Sequence, residues 1–286
     1  MTAARSRPAV AALAALVAAC GGGDDVAPPD GAPAADAGPT DFRPDRVGFV
    51  NLVERGGFMG VWAELHDRPG VPAPERLAAD GDCAVWARPA PALCDPPCAA
   101  GFCAAPGACT PWPENRSAGV ITVTGLTAPL RFVPGPYGYE PQPYPPEDLF
   151  APGAAVTASA PGDTAAGFTV TATGVAPLAA SVTSLALPGG VDAEVTWTSA
   201  GSGRIQLALV VGWHGAPFEA MLLCETADDG ALTVPGGLVT RLPAPSSGLE
   251  QHSSSLTRFE RAVTTTADGP VELLVGSQVF LSFSRP

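Results

Sequence analysis

From residue 117 to the end of the chain, apolar and polar positions alternate with a period of two, the pattern of half-buried β-strands. In VDAEVTWT (191–198), every second residue from Val191 to Trp197 is apolar and the residues between them are polar. Segments 168–174, 204–211 and 218–225 alternate in the same way. Further strands are predicted at 46–54, 58–66, 83–88, 118–125, 129–133, 154–160, 257–266, 271–275 and 278–284, with a hairpin turn at Arg55-Gly56-Gly57.

Helical periodicity with capping residues is not found anywhere in the sequence, and PGGLVTRLP (235–243) predicts one turn at most. Many short strands separated by Gly/Pro turns predict an all-β protein, an antiparallel β-sandwich of Ig-like or jelly-roll type. We divide the chain into an N-terminal hairpin and cysteine-rich region (42–115) and a sandwich domain (116–286). An alternative is that 42–286 forms one unit.

The N-terminus departs from this pattern and is typical of an export signal. Arg5 and Arg7 precede a wholly apolar segment, 9–19. This segment is shorter than the roughly 20 residues of a transmembrane helix, but it suits the apolar region of a signal peptide. We therefore predict a signal peptide over residues 1–19, and the alternative is a buried N-terminal helix.

The segment Val17-Ala18-Ala19-Cys20 resembles the lipobox of bacterial lipoproteins. The resemblance implies that the Cys20 thiol receives a diacylglyceryl group, that the signal is cut before Cys20, and that the new amino group is acylated. Two or more acyl chains anchor a protein stably to a membrane. Ordinary cleavage after small residues is the alternative. Gly21 follows Cys20, and in the best-known sorting rule the absence of aspartate there directs a lipoprotein to the outer membrane.

The composition predicts a disordered tether and argues against nucleic acid as a partner. Residues 20–41 contain mainly Gly, Pro, Ala and Asp, so we expect a disordered tether. The full chain has a net charge of −13, and loss of the two arginines in 1–19 changes this to −15. Nucleic-acid binding through phosphate neutralisation is therefore not expected.

Seven cysteines leave six if Cys20 carries lipid, enough for three disulfides in an oxidising compartment. The six comprise a cluster in the cysteine-rich region and one distant residue, namely Cys83, Cys94, Cys98, Cys103, Cys109 and Cys224. Zinc is the alternative for the cluster, but the spacing is irregular and no histidine lies nearby. We therefore expect a disulfide-stapled loop.

Six cysteines allow 15 connectivities, and the sequence does not select among them. Our preferred pairing joins Cys94 to Cys103, Cys98 to Cys109, and Cys83 to Cys224. The main alternative is a local pair between Cys83 and Cys94.

The cysteine-rich segment, followed by the alternating segments, resembles bacterial surface lipoproteins that carry a cysteine-rich insert and an Ig-like or jelly-roll sandwich. The resemblance covers about residues 45–286. It implies a fold and an envelope location, and it implies no activity, because a sandwich hosts many functions.

Candidate chemistry is sparse. Tyr137, Tyr139 and Tyr144 lie in the proline-rich segment 136–150 beside three carboxylates, and we predict either ligand contact or an extended loop packed by its rings. The three carboxylates are Glu140, Glu147 and Asp148. Glycoside hydrolases use a pair of carboxylates, so a hydrolase is an alternative interpretation of this segment.

Two further sites have alternative explanations. Asp228-Asp229-Gly230 indicates a calcium site or, more simply, a tight turn. His252 followed by serines could supply part of a hydrolase triad, but a polar loop explains the same residues. We expect no metal and no cofactor.

The sequence therefore predicts a lipid-anchored envelope protein with a non-enzymatic binding or structural role. Its expected partners are the membrane, through the lipid anchor, and an envelope protein or glycan. One alternative is a secreted or surface hydrolase, for example a glycan-directed one, on a β scaffold. The other is an accessory subunit of an envelope complex.

Overall fold

The structure is a computed structural model that describes residues 43–55, 58–70, 72–90, 92–181, 183–213, 218–243, 249–250 and 254–285. The predicted signal peptide, Cys20 and the predicted tether lie outside the described residues, as do His214 and His252. Within the described ranges, no helix is long and apolar enough to cross a membrane.

Strands dominate the described residues, which confirms the all-β prediction, and the single turn predicted in 235–243 is α1 (Gly236–Val239). The strands in chain order are β1 (Gly48–Arg55), β2 (Phe58–Leu65), β3 (Glu75–Asp80), β4 (Cys83–Ala87), β5 (Phe102–Ala105), β6 (Ala108–Thr110), β7 (Ile121–Thr124), β8 (Leu130–Gly135), β9 (Gly138–Gln142), β10 (Ala155–Ala160), β11 (Phe168–Thr173), β12 (Ser184–Ala186), β13 (Ala193–Thr196), β14 (Arg204–Trp213), β15 (Phe218–Ala227), β16 (Ala231–Val234), β17 (Leu249–Glu250), β18 (Ser255–Thr265), β19 (Pro270–Phe280) and β20 (Ser282–Ser284).

One large sheet carries most of these strands, in the order β11-β10-β7-β8-β9-β2-β1-β19-β18-β14-β15-β4-β3, with β17 beside β14. Its pairings are antiparallel except that between β1 and β19. Strands from the cysteine-rich region and from the predicted sandwich domain therefore share one sheet. Three two-stranded sheets accompany it, β12–β20, β13–β16 and β5–β6.

Two hydrophobic cores lie along the large sheet, which gives the protein a β-sandwich-like build. The first core is enclosed between β1, β2 and β19 and the strands from β7 to β11, and β11 packs against β18 and β19. The second lies between β4, β14 and β15 and a cover formed by β12–β20, β13–β16 and α1. The alternation predicted these faces: Val195, Leu207 and Leu222, for example, are buried in the second core.

The structure corrects several strand boundaries and adds strands. Two strands were predicted over 271–284, but β19 runs unbroken through Gly276, because β1 and β18 pair with it on both sides. β3 and β9 were not predicted. β3 is largely exposed, so it lacks strict alternation, and β9 contains proline. Strands β1 and β2 pair as the predicted hairpin, while Gly56 and Gly57 lie outside the described residues.

The described residues contain three disulfides, which join the cysteines as our preferred pairing predicts. Cys83 and Cys224 face each other across β4 and β15. The other two bonds, Cys94–Cys103 and Cys98–Cys109, hold the β5–β6 hairpin to the segment before it. The zinc alternative does not fit, because zinc binds thiolates and these sulfur atoms are bonded to one another.

Candidate binding pocket

The candidate site lies on the face of the large sheet that points away from the two cores. On β1, Val50 and Leu52 belong to the first core, so Asn51 and Val53 face the other side. On β19, Leu273 and Val275 are core residues, so Glu272 faces the same side as Asn51. Polar residues therefore alternate with core residues along the middle strands of the sheet.

This face carries a cavity of about 220 Å³, which we call the arginine pocket. Its walls come from the segment before β1 and from β1, β2, β14, β18 and β19. They consist of Arg43, Arg46, Asn51, Val53, Arg55, Trp62, Gln206, Thr257, Arg261, Glu272, Leu274 and Gln278. The lining thus holds four arginines and one carboxylate in a chain whose net charge is −13.

The single carboxylate of the lining is buried and paired. Glu272 is 2% exposed, and its Oε1 lies 2.5 Å from Nη1 of Arg46. Its Oε2 lies 3.4 Å from Nε of Arg261, which also donates to the buried Glu225 from Nη2 at 3.1 Å. A buried carboxylate that lies between two guanidinium groups contacts both of them, so it fixes the arginines in place.

Arg55 is held against the wall by aromatic rings and a glycine. Its guanidinium carbon lies 5.3 Å from the ring centroid of Trp62 and 5.4 Å from that of Phe280. Gly60 of β2 leaves room for this group, since a Cβ at position 60 would lie 2.7 Å from the guanidinium carbon. Burial lowers the pKa of Arg55 from its ordinary value, although arginine stays charged at neutral pH.

Two residues of the lining each carry a buried amide oxygen that has no hydrogen-bond partner among the described residues. These oxygens are Oδ1 of Asn51, a residue that is 8% exposed, and Oε1 of Gln278. The Gln278 amide is oriented by its other end, because Nε2 donates to Oγ of Ser255 at 3.1 Å and to Oγ1 of Thr257 at 2.9 Å. Buried acceptors without donors are rare in folded proteins, and they are expected where a ligand supplies the donor.

The described lining consists mainly of guanidinium, amide and apolar side chains. It contains no histidine or cysteine, and its one carboxylate is paired with two arginines. General acid–base or nucleophilic catalysis needs a titratable group beside a nucleophile. Guanidinium groups beside amide and aromatic side chains instead recognise an anionic, polar ligand.

Of the three tyrosines predicted as ligand contacts, two lie at the surface and one lies in the core. Tyr137 and Tyr144 are exposed, at 93% and 64%, so ligand contact by these two stays a prediction. Tyr139 instead packs by its ring, the second of the two alternatives. Tyr139 alternates inward on β9 and lies in the first core, where its hydroxyl accepts a hydrogen bond from the backbone nitrogen of Ala118 at 2.7 Å.

The carboxylates near the tyrosines do not join the arginine pocket. Glu140, Glu147 and Asp148 are exposed, and none of them lines it. The adjacent loop is instead held by Glu54, whose Oε1 accepts a hydrogen bond from the backbone nitrogen of Leu149 at 2.8 Å. Burial raises the pKa of Glu54 above its ordinary value.

The calcium alternative at Asp228-Asp229 does not fit the geometry. Both oxygens of the buried Asp228 carboxylate already accept two hydrogen bonds each, which uses all four lone-pair sites. The donors are Nε1 of Trp197, the backbone nitrogen of Ala200, and Nε and Nη2 of Arg258. Asp228 is therefore a structural residue.

His66 is the one histidine among the described residues. His66 lies near Glu64, with Nε2 4.0 Å from Oε2, and it borders a second cavity of about 330 Å³ beside the arginine pocket. His252, part of the hydrolase alternative, lies outside the described residues.

Sequence reasoning missed the arginine pocket. Its residues occupy the polar positions of alternating strands, which normally face solvent. The available signal was the residue type: Asn51 interrupts an otherwise apolar run, and long Arg, Gln and Glu side chains replace Ser and Thr. Comparisons with protein-family models, curated protein sequences and solved structures found no match to this chain.

Proposed function

We propose that this chain is a lipid-anchored envelope protein with a non-enzymatic binding role, and that the arginine pocket binds an anionic ligand. The observation that carries the proposal is the buried, unpartnered Asn51 oxygen in a cavity whose lining holds four arginines. In a chain of net charge −13, a cluster of guanidinium groups favours an anion locally, although Arg43, Arg46 and Arg261 also pair with Asp45, Glu272 and Glu225.

The proposed location rests on two independent features. The Val17–Cys20 segment has the lipobox pattern, and removal of Cys20 from the thiol count leaves an even six. Those six cysteines form three disulfides, which persist in oxidising compartments outside the cytosol. A hydrolase is not proposed, because the described pocket lining offers no nucleophile beside a base.

Palmitate labelling tests the anchor. Wild-type chain and Cys20→Ala are expressed in a bacterial host with labelled palmitate, and the envelope is fractionated. We expect label and outer-membrane recovery in the wild type only. Equal labelling of both chains would contradict the lipoprotein proposal.

Thermal unfolding with added anions tests the pocket. The full chain, purified in detergent, is heated with acetate, sulfate, glucuronate or uncharged glucose. At least one anion should raise the Tm of the wild type, because a ligand that binds only the folded state stabilises it. The effect should be lost in Arg55→Gln and retained in Arg131→Gln, a control that removes the same charge from an exposed position outside the pocket.

A further inference from the structure

We infer that the ligand of the arginine pocket is a sugar acid, a saccharide residue that bears a carboxylate. This inference rests on the proposed function and specifies its ligand. Three properties of the lining carry it: guanidinium groups for the carboxylate, unpartnered acceptors for hydroxyl groups, and an apolar wall for the carbon skeleton.

The guanidinium groups select the charged part of the ligand. Arg43 and Arg46, which pair with Asp45 and Glu272, line the cavity before β1, and Arg55 lines it at the end of β1. Arg55 is oriented by Trp62 and Phe280, so its planar donor fork is preorganised. Such a fork matches the two oxygens of a carboxylate with parallel hydrogen bonds.

The buried acceptors select the uncharged part. Oδ1 of Asn51 and Oε1 of Gln278 need donors, which acetate and sulfate do not have, because their oxygens only accept hydrogen bonds. Sugar hydroxyl groups donate and accept. A ligand with hydroxyls satisfies both amides, whereas a simple anion leaves them unsatisfied and loses affinity.

The remaining wall and the cavity size fit one sugar residue. Val53, Trp62 and Leu274 supply apolar surface for the C–H groups of a ring. The cavity of about 220 Å³ is smaller than the roughly 300–1,000 Å³ of pockets for drug-sized ligands. It therefore takes a free monosaccharide or the terminal residue of an acidic glycan, two sources of the same chemistry.

Titration calorimetry on the full chain in detergent tests the inference. The probes are glucuronate, a galacturonate oligomer, glucose, acetate and sulfate. We expect glucuronate to bind at least tenfold more tightly than acetate, sulfate or glucose. The oligomer distinguishes the sources: a glycan end predicts binding at least as tight as glucuronate, and a free monosaccharide predicts weaker binding.

Asn51→Leu separates recognition of the hydroxyl groups from folding. Replacement of an unsatisfied buried amide by an apolar group of similar shape keeps or raises stability. The variant should lose about tenfold in glucuronate affinity while its weak acetate affinity stays the same. The control Arg131→Gln should bind as the wild type does.

The outcomes distinguish the inference from the proposed function. If sulfate or acetate binds as tightly as glucuronate, or if Asn51→Leu keeps full glucuronate affinity, the sugar-acid inference is wrong while anion binding stands. If no probe binds the wild type, both the inference and the pocket's proposed role are wrong.

Discussion

Arg258 is the largest fully buried side chain among the described residues, and it lies between the two cores. On β18, Leu256 belongs to the second core and Ala262 packs against the first, with Arg258 between them. Its guanidinium pairs with Asp228 and donates to the carbonyl oxygens of Ala176, Pro177 and Thr198. A single charged pair thus ties together four separate segments of the chain.

Loss of one member of this pair should strongly destabilise the fold. Arg258→Met leaves the Asp228 carboxylate buried without its partner, which costs about 3–5 kcal/mol of unfolding free energy. Denaturant unfolding measures the loss. The double variant Arg258→Met/Asp228→Leu should lose less than Arg258→Met alone. A loss below about 1 kcal/mol in the single variant would contradict the structural role.

Asp67 should make stability depend on pH at the acid end. A hydrogen bond from Arg68, and a second from the backbone nitrogen of Glu114, lower the pKa of Asp67 from 3.8 to about 2. The folded state therefore binds this proton less readily than the unfolded state does. The ionised Asp67 therefore contributes fully to the free energy of unfolding above pH 3.8, and this contribution is lost as the pH falls through about 2.

Denaturant titration between these pH values checks the Asp67 prediction. Asp67→Asn should remove part of the wild-type decline in unfolding free energy below pH 3.8. The control Glu140→Gln, at an exposed site, should keep the wild-type slope. Identical slopes in the wild type and Asp67→Asn would contradict the prediction.

The burial of polar residues could not be predicted from the sequence. Alternation correctly placed Val195 and Leu222 in the core, because burial of apolar side chains needs only the period of the strand. Arg258, Glu225 and Glu272 are similarly buried, but each has an ion-pair partner that lies far away along the chain. Only the assembled sheet brings those charges together. From the sequence alone, a polar residue in an alternating strand is therefore predicted to face solvent.

At the scale of elements, strand identity was more predictable than strand order. The hairpin of β1 and β2 and the long strands β14 and β15 follow from local pattern and turn residues. The parallel pairing of β1 with β19 joins segments more than 200 residues apart, and no local signal specifies it. The arginine pocket depends on that pairing, since both strands form its wall.

Removal of the Cys83–Cys224 bond should destabilise the sheet that carries the pocket. This bond spans 141 residues, and the chain-entropy model gives about 5 kcal/mol for a loop of that length. Cys83→Ala/Cys224→Ala should therefore unfold at much lower denaturant concentration. Cys94→Ala/Cys103→Ala, which opens a loop of only 9 residues, is the control with the smaller effect. Equal losses in both pairs would contradict the loop-length account.

Gly60 should matter for binding rather than for stability. A methyl group at position 60 would meet the guanidinium of Arg55, the far end of a flexible side chain, which can move away. Gly60→Ala should therefore weaken anion binding several-fold with little change in Tm. Gly237→Ala, where a Cβ meets nothing within 4 Å, is the matched control. Unchanged calorimetric affinity in Gly60→Ala would show that Arg55 is not needed in its present position.

At the scale of the whole molecule, the chain combines a net charge of −13 with a cavity whose described lining is rich in arginine. The net charge of −13 opposes binding to polyanionic surfaces in general, whereas the lining of the pocket concentrates four of the 15 arginines. Small or terminal acidic groups can enter a cavity of this size, while an extended polyanion is repelled by the surrounding surface. The proposed lipid anchor would hold this selective site at the envelope.

The most direct test of the account observes the pocket while ligand is added. The chain has five tryptophans, and Trp62 lines the arginine pocket. Uniform labelling with 5-fluorotryptophan gives fluorine resonances that single Trp→Phe variants assign. On titration with glucuronate, we predict a saturable shift of the Trp62 resonance and none of the Trp112 and Trp197 resonances. Saturable binding that leaves the Trp62 resonance unmoved would contradict the account.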